Sequence, residues 1–131
     1  MTPASPDRHR PSFAPMSRDE RLFLARVRAV PVVAILRAAD AAQFLEVGRV
    51  LYEGGVRAIE VTLTSRGALE AFGRLNGELP GDAVLGVGTV RSVGDAELAV
   101  AAGATYLVAP DFRPEVVAWA VGTASRWFRG R

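Results

Sequence analysis

Beyond residue 30, apolar and polar positions fall into blocks whose period switches repeatedly between strand-like and helix-like. PVVAIL (31–36) is a short, β-branched apolar run. A helical pattern follows from Asp40 to about Glu53 and is ended by Gly54–Gly55. VRAIEVTL (56–63) precedes a second helical stretch, from Ser65 to about Leu75. AVLGVGTV (83–90) precedes a third, from about Asp95 to Ala102, closed by Gly103. ATYLVAP (104–110) leads into a fourth, EVVAWA, opened by Pro114. Such alternation predicts parallel strands joined by crossover helices. Strand-to-strand spacings of roughly 22–26 residues suit tight βα units.

Ahead of these units, Ser17 and Glu20 have capping-box spacing and open RLFLARVRA, an amphipathic helix. Residues 1–16 carry Pro3, Pro6, Pro11 and Pro15 with no apolar period and read as a flexible tail, with His9 solvated in it. The expected organisation is a tail (1–16), an α/β unit (17–120) and a second tail (121–131). Four βα units make either a small open sheet or half of a (β/α)8 barrel. A complete barrel takes typically ~250 residues, and this chain has 131.

Composition narrows the chemistry. The chain has no Cys, which excludes disulfides, a thiolate nucleophile and cysteine-ligated metal centres. A single His excludes a His-rich metal site, and no metal or other cofactor is expected. The 16 basic residues are all Arg, against 14 acidic ones. The pI of 9.9 therefore reflects arginine's high pKa more than a strong field, since the net charge is only +2. Nothing here calls for a nucleic-acid partner. No apolar run reaches the about 18 residues of a membrane span, and the N-terminus lacks the apolar core of a secretory signal. A cytoplasmic location is expected.

One strand carries a chemical signal. In VRAIEVTLT, Ile59, Val61 and Leu63 share one face, and Ala58, Glu60, Thr62 and Thr64 share the other. Parallel strands are ordinarily apolar on both faces, so a mid-strand Glu needs a reason. It is either a carboxylate paired with a buried Arg, such as Arg37 or Arg57, or a general acid/base tuned by a closed interior. Arg37 follows PVVAIL directly, Thr89 ends GVGTV, and Pro110–Asp111 ends TYLVAP. Active sites of parallel α/β folds lie at that end of the strands, so these groups predict an anion-binding reaction pocket. Gly86 and Gly88 allow close approach of backbone or ligand, or simply tight strand packing. GVGTVRSVG has its third glycine misplaced for a dinucleotide fingerprint.

PVVAILRA (31–38), EGGVRAIEVTLTS (53–65), GVGTV (86–90), DAELAVAAGATYLVAP (95–110) and PEVVAWA (114–120) occur in order. In these motifs the chain resembles the first four βα units of the 2-dehydro-3-deoxy-phosphogluconate aldolase / 4-hydroxy-2-oxoglutarate aldolase family. The resemblance implies part of a (β/α)8 barrel, usually trimeric. It implies a class I aldolase that cleaves 2-keto-4-hydroxy acids to pyruvate and an aldehyde, such as glyceraldehyde 3-phosphate or glyoxylate. A Schiff-base lysine on a later strand would serve as electron sink and a strand-borne Glu would relay protons. It further implies Glu60 as that acid/base, Arg37 as a carboxylate fork, and Thr64, Ser65, Thr89 and Pro110 as lining of the keto-acid site.

Two departures accompany the resemblance. Many members end the second-strand motif in Leu-Arg-Thr, whereas here Thr64 and Ser65 follow Leu63 and Arg66 comes one step late. The chain also contains no Lys, so it lacks the family's catalytic lysine and is expected to be inactive alone. VGTASRWFRGR (121–131) matches no family element. GC-rich codons for Gly122 to Gly130, shifted by two nucleotides, read His-Gly-Val-Pro-Val-Val-Pro-Gly, which continues the family pattern and points to a frameshift. The alternative is a non-catalytic half-barrel scaffold or small-anion binder that self-associates. Two open strand edges and an uncovered polar interior would leave the chain molten or aggregating when expressed alone.

Overall fold

The protein is described by a computed structural model that covers residues 18–129. The tail 1–16 with His9, and the cap assigned to Ser17, lie outside the described residues. Helix α1 (Arg18–Ala29) is followed by β1 (Val33–Leu36), α2 (Phe44–Glu53), β2 (Ala58–Thr62), α3 (Ala68–Glu78), β3 (Val84–Gly88), α4 (Val93–Ala101), β4 (Tyr106–Val108) and α5 (Pro114–Arg129). The strands form one parallel sheet in the order β1-β2-β3-β4. Each strand therefore neighbours the next in sequence, as in one arc of a barrel wall.

Helices α2 and α3 begin later than their apolar pattern, for local reasons. Asp40 Oδ1 accepts the Ala42 amide at 2.8 Å, which holds residues 40–43 in a turn before α2 can start. Gly67, with φ 74°, sits in the left-handed region just before α3. By contrast α4 starts where its cap dictates. Ser92 Oγ accepts the Asp95 amide at 3.0 Å, and Asp95 Oδ2 accepts the Arg91 amide at 3.0 Å. Helix α5 runs on past Ala120, so the backbone shows no break at the expected 120–121 boundary.

Strand pairing assigns every side chain to one of two faces. Ala34, Ile59, Leu85 and their alternates look toward the helices, because Ala34 pairs with Ile59 and Ile59 with Leu85. This outer layer is the hydrophobic core, in which Ile59, Val87, Phe72 and Leu75 are fully buried. Gly48 of α2 sits so close to α3 that a Cβ there would overlap the Leu75 side chain.

The inner face carries Val33 and Ile35 of β1, Glu60 and Thr62 of β2, Gly86 and Gly88 of β3, and Tyr106 of β4. The expectation that this face is uncovered holds only at its margin. Val33 and Ile35 are 46% and 60% exposed along the β1 edge, whereas Ala58, Glu60 and Val84 are buried. Helix α1 reaches this side: Phe23 stacks obliquely on Tyr106 with ring centroids 5.9 Å apart. Arg26 Nη1 also donates to the Gly81 carbonyl at 3.2 Å.

In chemical denaturation, Phe72→Ala is expected to lose about 3–5 kcal/mol by cavity formation. Hydrogen exchange should protect the amides of Ile59, Val61 and Val87 to the global limit while β1 exchanges faster.

Candidate functional site

Glu60 lies at the middle of the inner face and is only 6% exposed. Its carboxylate rests over Gly88, where a Cβ would overlap Oε1. The glycine spacing of β3 is therefore a cradle for this side chain. Among the described residues no ion pair or hydrogen bond engages Glu60. Burial pushes its carboxyl above the usual 4.5, and the Arg37 guanidinium opposes that rise. Arg57, the other candidate partner, is occupied elsewhere: its Nε donates to Asp82 at 3.1 Å and its guanidinium covers the Tyr52 ring at 4.0 Å. Tyr52 in turn donates to Asp82, completing a surface clasp.

Arg37 is exposed just past the end of β1. The loop that carries it is tied to the loop after β2. Ser65 Oγ accepts the Ala38 amide at 3.1 Å, and Thr62 Oγ1 donates to the Leu36 carbonyl at 3.2 Å. Backbone bonds link Arg66 to Ala39 and Ala41, and the Arg66 guanidinium grips Asp40 Oδ2 at 3.0 and 2.8 Å. Ser65 is buried and engaged in this tie. Its hydroxyl thus supports the Arg37 loop. The late Arg66 likewise points to Asp40. Thr64 is exposed, and its hydroxyl lies 3.2 Å from that of Thr62.

Thr89 follows β3 with φ 62°, a left-handed conformation that is costly for a β-branched residue. The adjoining bonds hold it there: the Leu63 amide donates to the Gly88 carbonyl at 3.0 Å, and the Val90 amide to the Val108 carbonyl at 3.1 Å. Pro110 is exposed beyond β4. The structure therefore gathers Arg37, Thr64, Thr89 and Pro110 past the strand C-termini, above an inward carboxylate. Among the described residues no group of His, Asp and Glu could hold a metal ion. No described helix is long and apolar enough to cross a membrane.

A profile of the KDPG and KHG aldolase family matches residues 23–129. The chain belongs to this family. It is 43% identical over 99 residues to the 2-dehydro-3-deoxy-phosphogluconate aldolase of Treponema pallidum (strain Nichols), covering 76% of this chain and 45% of that protein. The 2-keto-3-deoxy-6-phospho-gluconate aldolase of Zymomonas mobilis ATCC 29191 matches with TM-score 0.69 and 32% identity, covering 77% of this chain and 48% of that one. KDPG aldolase from Legionella pneumophila, with pyruvate captured at low pH as a covalent carbinolamine intermediate, matches with TM-score 0.68 and 27% identity. That match covers 80% of this chain and 48% of the other. The chain thus spans about half the length of the relatives it matches, and the family's barrel explains the single parallel arc.

Sequence reasoning did not single out Tyr106 or Phe23. Tyr106 pairs in register with Gly86, which pairs in turn with Glu60, so strand alternation could have placed Tyr106 on the Glu60 face. Phe23 carries no such signal, because its contact depends on how α1 returns to the sheet.

The raised Glu60 pKa has a stability consequence with a definite sign. The native state holds this proton more tightly than the unfolded chain does. Its contribution is full below the unfolded value near 4.5 and is lost as pH rises through the higher folded value. Glu60→Gln is therefore expected to gain stability over the wild type as pH climbs through that range, then level off. Urea denaturation at stepped pH checks it.

Proposed function

We propose that these residues are the acid/base half of a class I aldolase acting on 2-keto-4-hydroxy acids. Substrates of the 2-dehydro-3-deoxy-6-phosphogluconate or 4-hydroxy-2-oxoglutarate type would yield pyruvate and an aldehyde. The observation that carries the reading is Glu60: a buried carboxyl, raised in pKa and without an ion pair among the described residues, on the inner wall of a family barrel.

Breaking C3–C4 of such an acid needs an electron sink at C2 and a base for the C4 hydroxyl. The family's sink is a lysine imine, and none of these 131 residues is Lys. The lysine would come from outside them. The base removes the C4 hydroxyl proton, the aldehyde carbonyl forms, and the C3–C4 pair moves into the enamine. A proton then returns to C3, and water releases pyruvate. Glu60 suits both transfers, since burial brings its pKa nearer to neutrality. Arg37 would hold the substrate carboxylate by a charge-assisted fork. Thr64, Thr89 and Pro110 would line the mouth, with Ser65 fixing the loop beneath Arg37.

This chain incubated with pyruvate and borohydride should trap no lysine adduct. In a barrel completed by a lysine-bearing second half, Glu60→Gln should lower kcat about 10²–10⁴-fold. Arg37→Ala should instead act mainly on KM, by about 10-fold or more. Steady-state cleavage assays read both. A Glu60→Gln barrel of undiminished kcat contradicts the assignment.

A further inference from the structure

Among the described residues the sheet ends in two open edges. β1 pairs only with β2 and β4 only with β3, so each presents a row of backbone groups with no strand beside it. Apolar surface is exposed next to both. On the β1 side a groove of about 420 Å³ lies between β1 and α2, lined by Ile35, Leu36, Arg37, Phe44 and Val47. On the β4 side, α5 packs against α4 and buries Val116. Its residues Pro114, Val117, Ala118 and Val121 are exposed, at the three- and four-residue spacing of one helix face. Val117 and Val121 are 44% and 74% exposed. Helix α5 is the crossover helix that follows β4, so this stripe overhangs the place of the next strand.

The curvature of the arc says what fits there. The arc matches about half of a complete family barrel, and such a barrel has eight strands. A half-turn about the barrel axis therefore sets a second copy of these four strands in the other half. That rotation lays β4 of each copy parallel to β1 of the other, and α5 of each over the other's groove. Stripe and groove become the two sides of one head-to-tail junction, made twice, and the ring closes at two copies. Exposed at these edges are Val33, Ile35, Val47, Val108, Val117 and Val121. Each such side chain has on the order of 50–100 Å² left to bury. With two strand edges, they bring the contact to the scale of the ~800 Å² per partner of stable interfaces.

We propose that the β1–α2 groove and the α5 stripe are a docking surface for a second copy of this chain, giving a two-fold dimer with eight strands. The dimer does not rest on the aldolase reading, because neither a lysine nor a keto acid enters it. It uses the same edges that a lysine-bearing second half would use.

The test is sedimentation velocity on the full 131-residue chain over a micromolar-to-millimolar series, with no keto acid present. The wild type should show one species at twice 13.9 kDa. Val47→Arg in the groove and Val117→Asp on the stripe alter exposed helix positions, and circular dichroism checks that both variants stay folded. Each variant alone spoils both junctions and should weaken the dimer about tenfold or more. An equal mixture of the two should regain dimer, because the mixed pair keeps one unaltered junction and sets Arg against Asp at the other. A monomer throughout the series, or oligomers that grow without a discrete dimer, overturns the proposal. So does a dimer indifferent to both substitutions, or one that mixing fails to restore. A chain that stays monomeric yet binds a lysine-bearing second half assigns the edges to that half and likewise overturns it, while leaving the aldolase reading intact.

Discussion

The absence of side chains at Gly86 and Gly88 is the constraint on which the inner face depends. A parallel strand packed on both sides ordinarily fills each face with apolar side chains. On the inner side, β3 offers bare backbone at two successive positions, and its neighbours lean into the space. Glu60 enters from β2 and Tyr106 from β4. A methyl group at either position would displace one of them. The cost falls on β3, which gives up inner packing, and the outer layer of Ile59, Val87, Phe72 and Leu75 offsets it.

The same division separates stability from chemistry. The outer face is apolar, closed and interdigitated with the helices. The inner face holds a carboxylate whose charge is disfavoured by burial and countered only at a distance by Arg37. Past the strand ends, the Ser65–Ala38 and Arg66–Asp40 bonds fasten the Arg37 loop. Arg66 and Asp40 are exposed, so their pair contributes little to stability. Its effect is to link the loop that carries Arg37 to the loop after β2.

Much of this was legible in the residues. β-branched runs at regular spacing give the four strands, and the polar alternation of AIEVT marks Glu60 before any coordinates exist. The motif order points to the family. Helix starts were less legible, because the Asp40 turn and the left-handed Gly67 act against the apolar period. The role of Ser65 was not legible either. A serine after a strand reads equally as ligand contact or loop tie, and the tie shows only once the Ala38 amide is placed. Tyr106 was hidden for a related reason: an aromatic in a strand reads as core until the glycine opposite it is placed in register.

The most direct test of the account is a pyruvate titration of the ¹⁵N,¹³C-labelled chain, followed at the Arg37 guanidinium, the Thr89 amide and the Glu60 carboxyl. The account predicts weak, saturable shifts at these three groups, with Kd on the order of millimolar, abolished at Glu60 and Thr89 by Arg37→Ala. Shifts confined to the outer arginines, Arg66 and Arg74, or shifts that survive Arg37→Ala, would contradict it.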